Sequence, residues 1–147
     1  MARLSAPAAP VALALGFLLI GLGVAASVGR AAQPPGDWKP AAYSGESTIR
    51  LRTTDPAEGE HWFPVWLVVL DGDVYVRLGS VAAGRIQRNT TNPYIAVQIA
   101  GQEFDHVKFT ETPDHAEKVA KAMGDKYWSD VAVRYFSHPM TLRLRPE

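Results

Sequence analysis

Arg77, Arg85 and Arg88 are the residues whose type and spacing could do chemistry. Arg77 is the last residue but one of the segment DVYVRL, and the other two fall in the stretch that follows it, so the three could converge on one anion. A phosphate group with about two negative charges suits guanidinium forks, which donate paired, coplanar hydrogen bonds. The competing reading is that arginines on a short surface helix pair with nearby acids. Just upstream stand Trp62, Phe63 and Trp66. Their flat rings could wall a pocket for a planar heterocycle, with Trp66 the candidate, or fill a core, as expected for Phe63.

Other chemistries lack their residues. The chain has no cysteine, which removes disulfides, thiolate metal sites and cysteine nucleophiles. His61, His106, His115 and His138 show no paired spacing such as HExxH, so neither metal nor haem ligation is expected. No GxSxG motif supports a hydrolase nucleophile, and no catalytic acid or base can be named. The 15 basic and 15 acidic residues are balanced, and Arg3 and Arg30 lie in the leader, so no basic face for nucleic acid is expected.

The elements that must position these residues read as strands. STIRLRT alternates, placing Ile49 and Leu51 opposite Arg50 and Arg52. His61 to Leu70 and Asp73 to Gly79 flank Asp71-Gly72, a dipeptide that supplies the positive backbone angles of a tight type I′ turn and predicts a hairpin. In its second arm Val74, Val76 and Leu78 share one face, while Tyr75 and Arg77 share the other. Ser80 to Pro93 predicts a short helix or turn. Tyr94 to Gly101 and Gln102 to Thr110 predict two strands, and the spacing of Phe104, Val107 and Phe109 predicts a bulge or an exposed edge. Thr112-Pro113-Asp114 predicts a helix start with a hydroxyl cap, and Ala116, Val119, Ala120 and Met123 form the apolar face that follows. Lys126 to Phe136 predicts a second helical stretch, and Thr141 to Arg145 a last strand. The expected fold is mainly β: a six-stranded antiparallel barrel with two or three short helices, preceded by an N-terminal apolar helix.

That N-terminal helix is Val11 to Val28, an uncharged apolar run behind Arg3. Residues 1–32 are expected to be a signal peptide, cut after Ala31 or Ser27, or else a membrane anchor. Residues 33–46 read as a linker and residues 47–147 as the domain. The domain is therefore expected to be exported or membrane-anchored, with the membrane a partner through the N-terminal segment if it is uncleaved. An anchor with a cytoplasmic domain is the third arrangement, because Arg3 and Arg30 flank the run almost symmetrically.

Over Ser47 to Pro146 the order of elements resembles the FMN-binding split barrel of pyridoxamine 5′-phosphate oxidase and the related flavin- and deazaflavin-dependent reductases. The resemblance is carried by PVWLVVLDGDVYVRLGS, by GRIQRNTTNP and by KYW before the final strand. It implies a six-stranded antiparallel split barrel, a homodimer with the cofactor at its interface, and a small oxidoreductase whose cofactor, FMN or a deazaflavin, does the hydride chemistry. The family's Ser-x-Lys phosphate motif precedes an Asn-Pro pair by about ten residues. Counted back from Asn92-Pro93, Arg85 stands at the lysine and Ala83 at the serine, whose hydroxyl Ser80 could replace. With the arginines and the indole read from residue type and position, the expected cofactor contacts are Arg77, Ser80, Arg85, Arg88 and Trp66. The alternative is an exported split-barrel binding or interaction module without cofactor, favoured by Ala83 and by the leader, because free FMN is held in the cytoplasm.

Overall fold

A computed structural model describes residues 36–127 and 138–147. The apolar run Val11 to Val28 and most of the expected second helical stretch lie outside them. Among the described residues no helix is long and apolar enough to cross a membrane.

Six strands form: β1 (Thr48–Asp55), β2 (Gly59–Leu70), β3 (Asp73–Leu78), β4 (Tyr94–Ile99), β5 (Gln102–Glu111) and β6 (Met140–Pro146). Helix α1 (Ser80–Gln87) links β3 to β4, and α2 (Ala116–Lys126) follows β5. The strands pair antiparallel in the order β1-β2-β3-β6-β5-β4, and β4 returns to β1 to close the barrel. Closure leaves no free sheet edge.

Alternation places the core. Ile49 and Leu51 are fully buried while Arg50 between them is exposed. Val74, Val76 and Leu78 fill the interior from β3, as their spacing predicts. Tyr75 points the other way and packs outside the barrel with Val68, beneath Val119 and Met123 of α2. The hairpin turn has Asp71 at φ 50° and Gly72 at φ 81°, the left-handed pair that a type I′ turn requires. The irregular spacing in β5 is a bulge. Ile95 faces Val107 and Val97 faces Phe104, so one residue of β4 opposes two of β5, and Phe104 and Val107 both turn inward.

Three expectations need correction. Thr112 makes no side-chain cap: it is buried, and its hydroxyl donates to the Thr141 carbonyl at 3.4 Å, tying the approach to α2 onto β6. Lys126 is the last residue of α2 rather than the first of another helix, and Tyr127 leaves the helix with φ −114° and ψ 85°. From residue 36 the expected linker is packed rather than free. Tyr43 is buried, and Trp38 meets Tyr43 and Phe104 edge-on at 5.3 and 5.0 Å, so two aromatic rings cap one side of the core.

One charge pair fixes the β3–β6 seam. Both Asp73 oxygens accept from Arg145, at 2.6 and 2.7 Å, and this guanidinium holds the Asp73 carboxyl below the usual carboxylate range. A depressed native pKa contributes stability that is present above the unfolded value of about 3.9 and is lost as pH falls through the native value. Asp73→Asn should therefore melt below the wild type at pH 7. Melting curves taken at successively lower pH should show the gap closing; a constant gap would mean that the pair carries no pH-dependent stability.

Candidate functional site

The β1–β2 ladder ends on the rung Thr48 to Trp66. Thr48, Pro64 and Trp66 form one wall of an open cleft of about 480 Å³. Arg77 near the end of β3, then Gly79 and Ala82 at the start of α1, form the adjoining wall, and His138 reaches the cleft from the approach to β6. Among the described residues no carboxylate lines it.

Two features give the second wall its charge. Gly79 is the extended residue before α1, and the first bond of the helix runs from the Ala83 N–H to the Gly79 carbonyl at 2.9 Å. The N–H groups of Ser80, Val81 and Ala82 therefore have no acceptor within the helix, and the positive end of its dipole faces the cleft side. Arg77 is half-buried, and its side chain makes no ion pair or hydrogen bond among the described residues. A half-desolvated guanidinium without an anion is a costly arrangement that an anionic ligand would relieve.

Arg85 and Arg88 are placed elsewhere. Arg85 pairs with Glu58 at 2.7 Å, its guanidinium 6.0 Å from the Phe63 ring centroid. Arg88 donates to Asp55 at 2.6 Å. That bond, reinforced by the Ala57 N–H, holds the Asp55 carboxyl below its ordinary range and raises Arg88 in return. Both arginines sit at the β1–β2 turn. Helix geometry supplies the reason: an eight-residue helix is about 12 Å long, so Arg77 flanks one end of α1 and Arg85 and Arg88 the other. Ser80 is exposed at the first position of α1, while Ala83 is buried in the core.

The aromatic group divides by strand parity. Phe63 is in the core. Trp62 lies outside, beneath the guanidinium groups of Arg50 and Arg52 at 5.7 and 5.3 Å. Trp66, 37% exposed, stacks nearly parallel on Tyr127 with centroids 4.8 Å apart. Among the described residues no group of three histidine or carboxylate side chains is arranged to hold a metal ion.

Sequence reasoning did not foresee Tyr127 and Lys126 as anchors. The Lys126 ammonium donates to the Glu46 carbonyl and to the Leu67 carbonyl at 3.2 Å, and burial lowers its pKa. The Tyr127 hydroxyl lies 2.7 Å from the Leu67 carbonyl and 2.9 Å from that of Ser47, and burial raises its pKa. The segment KYW was the only signal for them. Their partners are carbonyls some sixty to eighty residues away, which no local pattern encodes.

No family model matches the sequence, and no curated protein matches it. Solved structures do. The heme storage protein HutZ of Vibrio cholerae aligns with 73% of this chain and 87% of its own, at 18% identity and a TM-score of 0.55. An F420-H2 dependent reductase, FDR-A, aligns over 68% and 95%, at 13% identity and 0.52. The conserved hypothetical protein Rv2991 of Mycobacterium tuberculosis aligns over 80% and 84%, at 16% identity and 0.55. The chain has the split-barrel fold. As the resemblance implied, it has six antiparallel strands, and two helices among the described residues.

At the turn of this split barrel the Asp55 carboxylate also accepts from the N–H groups of Ala57 and Glu58, at 2.8 and 3.3 Å. Asp55→Ala should therefore lower the melting temperature more than Arg88→Ala does. In a double-mutant cycle the double variant should match Asp55→Ala, because Arg88 acts through that carboxylate; additive losses would show that Arg88 has another role.

Proposed function

We propose that the cleft binds a planar, phosphate-bearing cofactor of the flavin type, FMN or a deazaflavin, and that the protein is a small oxidoreductase. The observation that carries this reading is Arg77, a half-buried cation without an anion in a cleft that also holds an exposed indole. The chain's groups fit such a ligand. Arg77 and the free N–H groups opening α1 would hold the phosphate, and Trp66 would lie against the ring system. The cleft volume falls within the roughly 300–1,000 Å³ common for small-molecule sites. A flavin or deazaflavin supplies hydride transfer when bound; the work of these residues is to bind it, orient it and limit water. The F420-H2 dependent reductase among the similar structures supports the same class of ligand.

In this reading the protein is a homodimer, since the open cleft leaves Trp66 37% exposed and Val81 75% exposed beside it for a second copy to cover. Val11 to Val28 sends the domain out of the cytoplasm or holds it at the membrane. Sequencing the mature N-terminus, with protease accessibility on intact cells, checks that placement: the expected results are a start near Ala32 or an accessible anchored domain, and a protected, uncut chain would place the domain inside.

A second reading, a split-barrel binding module without cofactor, is favoured by a specific observation. Arg85 and Arg88 are neutralised by Glu58 and Asp55, and buried Ala83 offers no hydroxyl, so a phosphate would meet a single guanidinium. Titration with FMN and riboflavin, which differ by the phosphate, separates the two. Arg77→Ala should weaken FMN binding about 10- to 100-fold, the equivalent of a charge-assisted hydrogen bond of about 1.5–3 kcal/mol, and leave riboflavin nearly unchanged. No uptake of FMN or deazaflavin at tens of micromolar would favour the cofactor-free module. Haem belongs in the same titration, because His138 reaches the cleft and one similar structure is a heme storage protein. A Soret shift without flavin uptake would replace the flavin reading.

A further inference from the structure

The β1–β2 register pairs residues whose rungs run from Asp55 and Gly59 to Thr48 and Trp66, so the next rung would join Ser47 to Leu67. It does not form. The Tyr127 hydroxyl stands in its place, near the Ser47 and Leu67 carbonyls, and the Leu67 N–H donates back to it at 3.3 Å. Lys126 reinforces the same point by donating to Glu46 and Leu67 carbonyls. The phenol is thus tethered at its far end to two strands and at its near end to the last turn of α2, where the Tyr127 N–H donates to the Met123 carbonyl at 2.8 Å. Its ring has little freedom left.

Trp66 lies directly against that ring, at 4.8 Å and 13° from parallel. The indole sits at the end of the ladder, and its opposite neighbour is the small side chain of Thr48. Without Tyr127 an exposed tryptophan there would sample several rotamers. A planar ligand would then have to order it on binding, which costs affinity that a held side chain does not.

We infer that Tyr127 is a positioning residue of the cleft: tethered between β1 and β2, it holds the Trp66 indole in the one orientation that receives a planar ring. The role is specific to the ring of the ligand, because Tyr127 stacks on the indole and its hydroxyl is held by Ser47 and Leu67 rather than by Arg77. It rests, for its ligand arm, on the flavin reading above.

The test has two arms. In protein labelled with 5-fluorotryptophan, the Trp66 fluorine resonance, assigned with Trp66→Phe, should be single and sharp in the wild type without ligand. Tyr127→Leu should broaden or split it as several rotamers become populated. Tyr127→Phe, which keeps the ring and loses the hydroxyl, should fall between them. In the binding arm, Tyr127→Leu should weaken riboflavin and FMN by the same factor, about three- to tenfold, as expected for one side chain left to be ordered on binding. The ratio of the two affinities should stay at the wild-type value, which also shows that the fold and the phosphate end are intact. An unchanged Trp66 resonance in Tyr127→Leu overturns the inference whatever the ligand does. So does an unchanged riboflavin affinity, or a loss confined to FMN. If the wild type takes up neither flavin, the flavin reading falls, and the positioning of Trp66 is decided by the resonance alone.

Discussion

Leu67 carries a peptide group that the barrel would leave half-paired. On the β3 side it faces Val76, but on the other side β1 has already ended. A buried peptide donor or acceptor without a partner costs about 1–3 kcal/mol, so something must fill the missing rung. The end of α2 does so with a hydroxyl and an ammonium group. Several other features depend on that repair. It docks α2 over Tyr75 and Val68, it fixes where α2 stops, and it leaves the phenol ring beside the cleft.

The electrostatics of the split barrel divide along α1. At one end the acids of the β1–β2 turn, Asp55 and Glu58, engage Arg88 and Arg85 in pairs that serve the turn. At the other end Arg77 stands with the free N–H groups of the first helical turn and, among the described residues, no acid in the cleft. Exposed pairs contribute little to stability. What the pairing changes is the field: the nearby carboxylates are neutralised by cations of their own, and the cleft keeps its positive character.

The legible parts of this fold were those encoded within a few residues. Asp71-Gly72 specifies its turn through backbone angles, and the β3 alternation specifies which side chains enter the barrel, because both are local constraints. The β5 bulge was legible for the same reason, since Phe104 and Val107 cannot both face inward on a regular strand. Pairings across long loops were not. Thr112 looked like a helix cap because its neighbours fit one, yet the carbonyl of Thr141 on the neighbouring strand β6 accepts from its hydroxyl. Arg85 and Arg88 looked like partners of Arg77 because they are near it in sequence, but a helix converts sequence nearness into separation along its axis. Trp66 and Arg77 were both legible as candidates. That they meet in one cleft follows from the hairpin register, since the position after the Leu67–Val76 rung brings Trp66 beside Arg77.

This separation bears on how the cleft can act. A ligand that occupied Arg77 alone would need only an anion, and many metabolites carry one. A ligand that lay on Trp66 alone would need only a flat apolar face. In the proposed reading the two would meet different parts of one molecule from adjoining walls of the same opening, so selectivity would arise from their spacing rather than from either contact. Spacing of that kind survives only if each wall is rigid. The Arg77 wall is rigid because β3 is laddered on both sides, to β2 and β6. The Trp66 wall lies where one ladder has run out, and its rigidity must come from outside the sheet. The residue that completes the missing rung is also the one stacked on the indole, so satisfying a backbone group and shaping a binding surface are here the same contact.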